Sequence, residues 1–174
     1  FCMKIALVDD SEQERQELLN VVIVGGGATG VEIAGALSEM KKYVLPKDYP
    51  DMPSSLMHIY LIEAGERLLP AMSPDSSAHV EKYLRSMGVN VLLNKMVTDY
   101  QDHRVILKDG SSIATRTFIW VSGVAAQKVG NLDASHLGRG ARIKVNACNQ
   151  VEGLDGVFSI GDQCIMTEGD PNWP

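Results

Sequence analysis

The sequence lacks the features that most readily reveal a disulfide-linked or metal-binding protein. Its three cysteines, Cys2, Cys148 and Cys164, form no C-x-x-C pair and no other spacing typical of metal ligands. We therefore expect reduced thiols, as in a cytoplasmic protein. The four histidines also show no mutual spacing that suits a metal ion, so no metal site is predicted.

Long apolar runs and an excess of basic charge are missing as well. No stretch reaches the roughly 18 apolar residues of a membrane-spanning helix, and the start of the chain lacks the pattern of a secretion signal. The 16 basic and 22 acidic residues leave a net charge of −6. Because nucleic-acid binding usually needs a basic surface, we expect no nucleic-acid partner. A local anion site made of backbone amides stays open, since it needs no basic side chain.

What the chain does contain is an alternation of short apolar strands and helices. Glycine and proline punctuate it, and a Pro-rich loop is expected over 45–57. This order predicts an α/β fold, a Rossmann-like parallel sheet with a β-hairpin or meander crossover. The predicted strands are 21–24, 59–62, 89–93 and 117–121, the helices are 31–40 and 73–87, and a hairpin spans 105–113. Trp120, inside an apolar strand, is expected in the core.

The chain is expected to comprise three segments. Residues 1–20 are a linker or short helix, and Ser11 with Glu14 could form a capping box there. Residues 21–124 form the nucleotide-binding domain. Residues 125–174 are part of another domain, with a half-exposed strand at 142–146 and an apolar strand at 156–162. Both ends of the chain suggest a segment of a longer protein.

The glycine-rich turn between the first strand and the first long helix carries the main functional signal. Gly25 allows the tight turn, Gly27 leaves room for a pyrophosphate, and Gly30 lets the helix pack closely on the sheet. The helix N-terminus offers free amides to phosphate oxygens. Since the turn follows a strand and opens a helix, it predicts nucleotide binding.

Two acidic residues at strand ends refine this prediction. Glu63 follows the second strand, where a carboxylate accepts hydrogen bonds from the adenosine ribose and repels the 2′-phosphate of NADPH. Its distance from Gly30 exceeds the usual ~20 residues, and the Pro-rich loop accounts for the excess. Asp162 ends the last apolar strand, and an acid there can receive hydroxyls of a sugar-like chain. A solvated glutamate and a simple Gly-Asp turn are the alternatives.

Four stretches together resemble the type II NADH dehydrogenases of the pyridine nucleotide-disulfide oxidoreductase superfamily. They are residues 22–37, 61–70, 119–124 and 157–162. The resemblance implies an NADH-binding domain inserted into an FAD-binding domain. Residues 21–124 would be the former, and 1–20 and 125–174 would be parts of the latter.

The resemblance also implies roles for individual residues. The expected NADH pyrophosphate site comprises Gly25, Gly27, Ala28, Thr29 and Gly30. Glu63 would bind the adenosine ribose, Val97 would lie near the adenine, and Ser122 and Gly123 would line the nicotinamide side. Gly161 and Asp162 would contribute to the FAD site, with Asp162 at the ribityl chain.

Glu32 is similar to a family glutamate near the nicotinamide and the quinone site. A carboxylate there could handle protons during quinone reduction, which would make Glu32 a catalytic residue. The alternative is a glutamate in the first turn of a helix, favoured there by the helix dipole. Both interpretations stay open at this point.

The implied activity is hydride transfer from NADH to FAD, followed by electron transfer to a quinone in a respiratory chain. The intact protein would lie on the cytoplasmic side of the cell membrane, attached through regions absent from this chain, and a homodimer is left open. The segment alone is not expected to be catalytically competent. Other hypotheses are a flavoprotein reductase with a disulfide, nitrite or ferredoxin acceptor, a methyltransferase, and a non-catalytic nucleotide sensor.

Overall fold

The computed structural model describes residues 11–51, 54–123 and 125–167. The chain divides into two compact units, Phe1–Ser122 and Gly123–Pro174. The first unit contains the parallel sheet that the sequence predicts.

The first unit is built on a parallel sheet of four strands in the order β3-β2-β1-β7. β1 lies in the interior and pairs with β2 on one side, Val21 opposite Ile59, and with β7 on the other, Val21 opposite Thr117. The predicted α/β class with a Rossmann-like parallel sheet is confirmed. The strands are β1 (Asn20–Val24), β2 (His58–Ile62), β3 (Val89–Leu92) and β7 (Thr117–Trp120).

Four helices accompany this sheet: α1 (Glu12–Leu19), α2 (Ala28–Glu39), α3 (Leu45–Asp48) and α4 (Pro74–Ser86). The segment before β1 forms a helix and not an irregular linker. The Ser11 side chain accepts a hydrogen bond from the Glu14 amide and thereby caps α1. Ser73 caps α4 in the same way, with Pro74 in its first turn, as predicted.

The segment expected to be a loop at 45–57 is more regular than the sequence suggested. α2 runs on through a π-helical turn, Met40–Val44, into α3, and a 3₁₀ turn follows at Ser54–Leu56. Pro46 fits this arrangement because the first turn of a helix needs no amide donor there. The prediction of a loop is therefore wrong for α3.

An antiparallel meander of three strands connects β3 to β7. It comprises β4 (Val97–Gln101), β5 (Arg104–Leu107) and β6 (Ser112–Ala114), in that order. The predicted hairpin corresponds to β5 and β6, whereas β4 was not predicted. Its exposed positions outnumber its buried ones, so its sequence has no apolar run to indicate a strand.

Side chains of β1 alternate between two buried clusters, one on each face of the sheet. Val21 and Ile23 join a larger cluster that includes Ala34 of α2 and Leu84 of α4. Val22 and Val24 join a second cluster with Val105 and other meander residues. Since helices cover one face and the meander covers the other, β1 is buried at every position, as its apolar sequence indicates.

The second unit has little regular structure. Its two strands, β8 (Ile143–Val145) and β9 (Cys164–Met166), pair in parallel. The alternating burial of β8 confirms the strand predicted over 142–146. Short 3₁₀ turns lie at Ala134–His136, Arg139–Ala141 and Gly161–Gln163.

The apolar strand predicted at 156–162 is wrong. Within the described residues that segment pairs only through an isolated bridge, Gln150 to Phe158, and the strand forms later, at Cys164–Met166. Phe158 and Ile160 are exposed. Two backbone hydrogen bonds join this segment to a neighbouring stretch, from the Val151 amide to the Val157 carbonyl and from the Ser159 amide to the Asn149 carbonyl. An apolar run becomes a buried strand only where neighbours also cover its faces, and the described part of this unit leaves those faces exposed.

No helix in the described ranges is long and apolar enough to cross a membrane. Cys148 and Cys164 are free thiols. The described residues include no group of three or more metal-ligating side chains.

Candidate dinucleotide-binding site

The predicted nucleotide site lies in the first unit, at the carboxyl ends of its parallel strands. A cavity of about 210 Å³ opens there. Ligands of open α/β sheets bind at this edge, because the strand-to-helix turns converge on it. The cavity is lined by, among others, Gly25, Glu63, Lys95, Val97, Trp120 and Ser122.

Gly25 and Gly30 are required by close backbone contacts inside the glycine-rich turn. Gly25 has φ +118°, and a Cβ there would lie 3.0 Å from the Ser122 amide nitrogen. A Cβ on Gly30 would lie 1.8 Å from the Gly25 carbonyl oxygen, a distance at which atoms clash. Both residues therefore keep the turn compact, as their spacing predicts.

Gly26, a variable position in the glycine pattern, is equally constrained in this chain. An added Cβ would meet Leu68 Cδ2 at 2.7 Å and the Glu63 Cβ and Cγ atoms at 3.0 Å. The sequence pattern did not single out this residue, because the crowding comes from the β2–α4 loop. Only tertiary contacts reveal it.

Gly27 is the N-cap of α2 and has open space where its side chain would be. It supplies no side-chain cap, so Ala28, Thr29 and Gly30 open the helix with amides that have no acceptor earlier in the helix. The first internal bond of this turn runs from the Val31 amide to the Gly27 carbonyl, 3.1 Å. This end of α2 can accept phosphate oxygens without moving a side chain.

Glu63 is held in place by two backbone amides. One carboxylate oxygen accepts from the Gly26 amide at 2.6 Å, and the other accepts from the Gly65 amide at 2.7 Å. The half-buried side chain thus joins the glycine-rich turn to the loop after β2. It is not the freely solvated glutamate of the alternative interpretation. Each oxygen keeps a further lone pair for an incoming hydroxyl.

Val97 and Ser122 lie in the wall of this cavity, Val97 buried at the start of β4 and Ser122 just after β7. Trp120 lines it too. Its indole Nε1 donates to the Ser122 carbonyl at 2.6 Å, yet the side chain is 55% exposed. The expectation that Trp120 belongs to the core is therefore wrong. Among the strands that the structure describes, β7 pairs with β1 alone and forms the edge of the sheet, so no strand covers its outer side.

Lys95 is a further wall residue that the sequence did not indicate. Its amide donates to the Glu63 carbonyl at 3.0 Å, which places Lys95 beside the residue predicted to bind the adenosine ribose. Its ammonium forms an ion pair with Asp109, in the turn between β5 and β6. The two residues are distant in sequence, so no local motif could have connected them to Glu63.

Glu32, the predicted catalytic residue, is not among the residues that line this cavity. Glu32 is exposed in α2, and no acidic residue stands in the first turn of that helix. The helix-dipole explanation of Glu32 therefore loses its basis.

Gly123 begins the second unit with φ +84°. Gly161 and Asp162 lie in that unit too, in an exposed 3₁₀ turn, where the Asp162 carbonyl accepts from Arg142 Nε at 3.1 Å.

Comparison with known proteins places these features in a family. Residues 2–172 match the family model described as pyridine nucleotide-disulphide oxidoreductase. A type II NADH:quinone oxidoreductase from Haemophilus influenzae is 38% identical over 98% of this chain, and NdhA of Mycobacterium tuberculosis is 33% identical over 90%. The chain covers only 40% and 35% of these two relatives.

A solved structure of NDH2 from Plasmodium falciparum in complex with NADH has the same fold. It superposes with a TM-score of 0.81 over 95% of this chain and 36% of its own, at 23% identity. The predicted fold class and oxidoreductase class are thus confirmed, and NAD(H) and FAD are the cofactors that go with the family. The methyltransferase hypothesis is wrong. This chain belongs to the pyridine nucleotide-disulphide oxidoreductase family.

Proposed function

We propose that this chain is the NADH-binding segment of an FAD-dependent NADH:quinone oxidoreductase. The observation that carries the proposal is the geometry of the glycine-rich turn. Space is open where a Gly27 side chain would lie, and the Glu63 carboxylate accepts a hydrogen bond from the Gly26 amide. Together they form a dinucleotide site at the carboxyl edge of a parallel sheet. The quinone acceptor is favoured by relatives named type II NADH:quinone oxidoreductases along almost the whole chain.

The residues present fit the pyrophosphate of NADH. Gly25, Gly27, Ala28, Thr29 and Gly30 surround the N-terminus of α2, where no side chain caps the helix. Backbone amides there would donate to phosphate oxygens, and the helix dipole would favour the negative charge. Neither effect needs a basic residue, which agrees with the acidic composition of the chain.

Glu63 would accept the hydroxyls of the adenosine ribose. The two amides that bind its carboxylate hold it in position, so the acceptor is preorganised before a ligand arrives. A fixed carboxylate would repel a 2′-phosphate, which favours NADH over NADPH. Val97 offers an apolar surface to the adenine, and Ser122 with Gly123 would border the nicotinamide.

In the second unit we assign Gly161 and Asp162 to the FAD site. The Asp162 side chain is exposed, and within the described residues no hydrogen bond or ion pair engages its carboxylate. That carboxylate suits the hydroxyls of a ribityl chain. Bound together, NADH and flavin supply the hydride and electron chemistry, whereas the protein binds and orients them.

Glu32 would move protons in the intact enzyme. Its exposed carboxylate on α2 has no hydrogen bond or ion pair within the described ranges, so it is accessible to a proton-exchanging partner. In the full-length protein, Glu32→Gln should slow quinone reduction with little change in NADH affinity. An unchanged rate of quinone reduction across the pH range would contradict a catalytic role.

The intact protein would act at the cytoplasmic face of the cell membrane, held there by regions outside this chain, and it could form a homodimer. Sedimentation of the full-length protein with lipid vesicles tests the membrane attachment, and its mass in solution tests the assembly.

Absorbance of flavin in the purified full-length protein separates an enzyme from a nucleotide sensor. A comparison of quinone, disulfide, nitrite and ferredoxin as electron acceptors identifies the physiological class.

Binding of NADH to this chain is the direct test. Calorimetry should show that NADH binds to this chain and that Glu63→Ala weakens the binding. The substitution removes the carboxylate, which is both the proposed acceptor for the ribose hydroxyls and the group that holds the glycine-rich turn. Glu63→Gln keeps one oxygen acceptor and is expected to weaken binding less. If NADPH binds the unaltered chain as tightly as NADH, the assignment of Glu63 to the ribose is wrong.

Trp120 supplies an independent optical signal, since its exposed indole lines the same cavity. NADH should quench the tryptophan emission of the chain, whose only other tryptophan is Trp173. Trp120→Phe should remove most of the quenching while calorimetry still detects binding. Quenching that persists undiminished in this variant would place the ligand elsewhere.

A further inference from the structure

The wall of the dinucleotide cavity includes a lysine that already forms an ion pair. The Lys95 amide donates to the Glu63 carbonyl at 3.0 Å, and the Asn94 amide donates to the Gly65 carbonyl at 2.9 Å. These bonds join the segment after β3 to the loop after β2. Lys95 is therefore fixed next to Glu63, the residue proposed to bind the adenosine ribose.

Asp109 holds the other end of this lysine. The Lys95 ammonium donates to one oxygen of the Asp109 carboxylate, and the other oxygen accepts from the Ser111 amide at 3.0 Å and the Ser111 hydroxyl at 2.6 Å. The hydrogen bond from Lys95 and those from Ser111 keep the pKa of the Asp109 carboxyl well below its usual range. At neutral pH Asp109 is thus a fixed anion in the β5–β6 turn.

Lys95 belongs to the walls of two cavities. Lys95 and Met96 line the cavity at the strand ends, and they also line a neighbouring cavity of about 270 Å³ with Lys108 and Asp109. The Lys95 and Asp109 side chains are each 42% exposed. The ammonium can therefore reach a ligand in the first cavity once Asp109 no longer holds it.

Other cations near the site are less suited to this role. The Arg67 guanidinium donates to the Met72 and Pro70 carbonyls at 3.2 and 2.8 Å, so it is committed to its own loop. Lys108 lines the neighbouring cavity and is not among the residues that line the dinucleotide cavity. Lys95 is the cation that shares the wall of the dinucleotide cavity with Glu63.

We propose that Asp109 is a specificity-determining residue, which withholds Lys95 from the 2′-phosphate of NADPH and so strengthens the preference for NADH. NADPH differs from NADH by an anionic group on the ribose that Glu63 is proposed to bind. A free lysine beside Glu63 would attract that group, whereas a lysine already paired with a carboxylate offers it little. This inference rests on the proposed NADH site.

The test measures the affinities of NADH and NADPH for the full chain by calorimetry at low ionic strength. Asp109→Asn removes the charge while its amide oxygen can still accept from Ser111, which preserves the turn. We expect NADPH to bind about two- to fivefold more tightly, as exposed ion pairs allow. NADH affinity should change by less than about twofold, since NADH has no group at that position.

Two control variants isolate the cause. Asp102→Asn makes the same charge change in the exposed turn between β4 and β5, and it should leave the affinity for NADPH unaltered. Lys95→Met combined with Asp109→Asn should abolish the gain, because the released cation is gone. Added salt should reduce the gain as well, since it screens exposed charges.

The outcomes separate this inference from the proposed function. An Asp109→Asn variant that gains no more affinity for NADPH than Asp102→Asn would overturn the inference while NADH binding stands. A gain that survives removal of Lys95 would overturn it too. If the unaltered chain, shown to be folded by circular dichroism, binds no NADH, the proposed function fails and the inference falls with it.

Discussion

The two units of this chain differ in how completely they bury their apolar side chains. The first has buried clusters on both faces of its parallel sheet, one under the helices and one under the meander. The buried cluster described for the second contains only Ile143, Val145 and Val151. Apolar residues such as Phe158 and Ile160 remain exposed there. The proposed NADH site therefore lies in a unit with a large buried core, whereas the residues assigned to FAD lie in a unit with a small one.

The difference follows from strand pairing. In the first unit β1 has a hydrogen-bonded neighbour on each side, and a buried cluster packs on each of its faces. In the second, β8 and β9 pair with each other over three residues. Two short strands are marginal in water without further packing. We expect the second unit to open at lower free energy than the first.

The largest expected effect comes from the glycine-rich turn. Gly30→Ala would bring a Cβ to 1.8 Å from the Gly25 carbonyl, so the turn must distort. We expect a loss of about 3 kcal/mol in the free energy of unfolding of the first unit. Gly35→Ala is the matched control, because nothing lies within 4 Å of its added Cβ. Alanine there should stabilise α2 by about 0.5–1 kcal/mol. Equal urea midpoints for the two variants would contradict the packing described here.

Large apolar residues of the two units should respond differently to truncation or polar substitution. Leu61 is fully buried in β2, and Leu61→Ala should cost about 2–5 kcal/mol in urea unfolding. Ile160 is 74% exposed in the second unit, so Ile160→Ser should change stability by less than about 0.5 kcal/mol. A comparable cost for both would show that Ile160 is buried in solution and would remove the contrast between the units.

Two threonines sharpen the same comparison at smaller scale. Thr115 Oγ1 lies fully buried, 2.6 Å from the Asn20 carbonyl oxygen, and accepts from the Thr117 amide at 3.0 Å. Thr115→Val leaves buried polar groups without this partner and should cost about 1–3 kcal/mol. The side chain of Thr167 is exposed, and its Oγ1 donates to the Val145 carbonyl at 3.3 Å and also bonds the Glu152 carboxylate. The Val145 carbonyl also accepts from the Thr167 amide, so Thr167→Val leaves it a partner and should cost less than about 0.5 kcal/mol. Thermal unfolding of both variants measures the difference.

The smallest effects concern two aspartates, one in each unit. Hydrogen bonds lower the pKa of both, chiefly from Lys95 for Asp109 and from the Ser135 amide for Asp133. A lowered folded-state pKa gives stability that is present above the unfolded pKa, about 3.9, and is lost as pH falls through the folded pKa. NMR titration of the carboxyl carbons should therefore show both midpoints below about 3.9, with Asp109 the lower. Lys95→Met should raise the Asp109 midpoint and leave Asp133 unchanged.

Much of the first unit could be predicted from local patterns. The apolar run of β1, the Ser73–Pro74 start of α4 and the Asp109–Gly110 turn all lie where the sequence indicates. These signals are local, because burial on both faces, helix capping and tight turns each demand particular residue types nearby. β4 escaped prediction since most of its positions face solvent.

The errors share a physical cause. Trp120 and the segment 156–160 are apolar and were expected to be buried, yet both lie where pairing and packing stop. Apolar character shows that a residue can be buried, but only its neighbours decide whether it is. The same holds for Lys95, whose importance arises from contacts with Glu63 and Asp109 that are remote in sequence.

By itself the sequence determined that a glycine-rich turn leaves a strand and opens a helix, and that an acid ends the next strand. Those features depend on backbone geometry and on residue types at short range. Only the tertiary structure decided that Gly26 must also be glycine, that Glu63 is fastened to it, and that Asp109 holds the lysine beside the site. Each depends on separate loops meeting at one edge of the sheet, which no local pattern encodes.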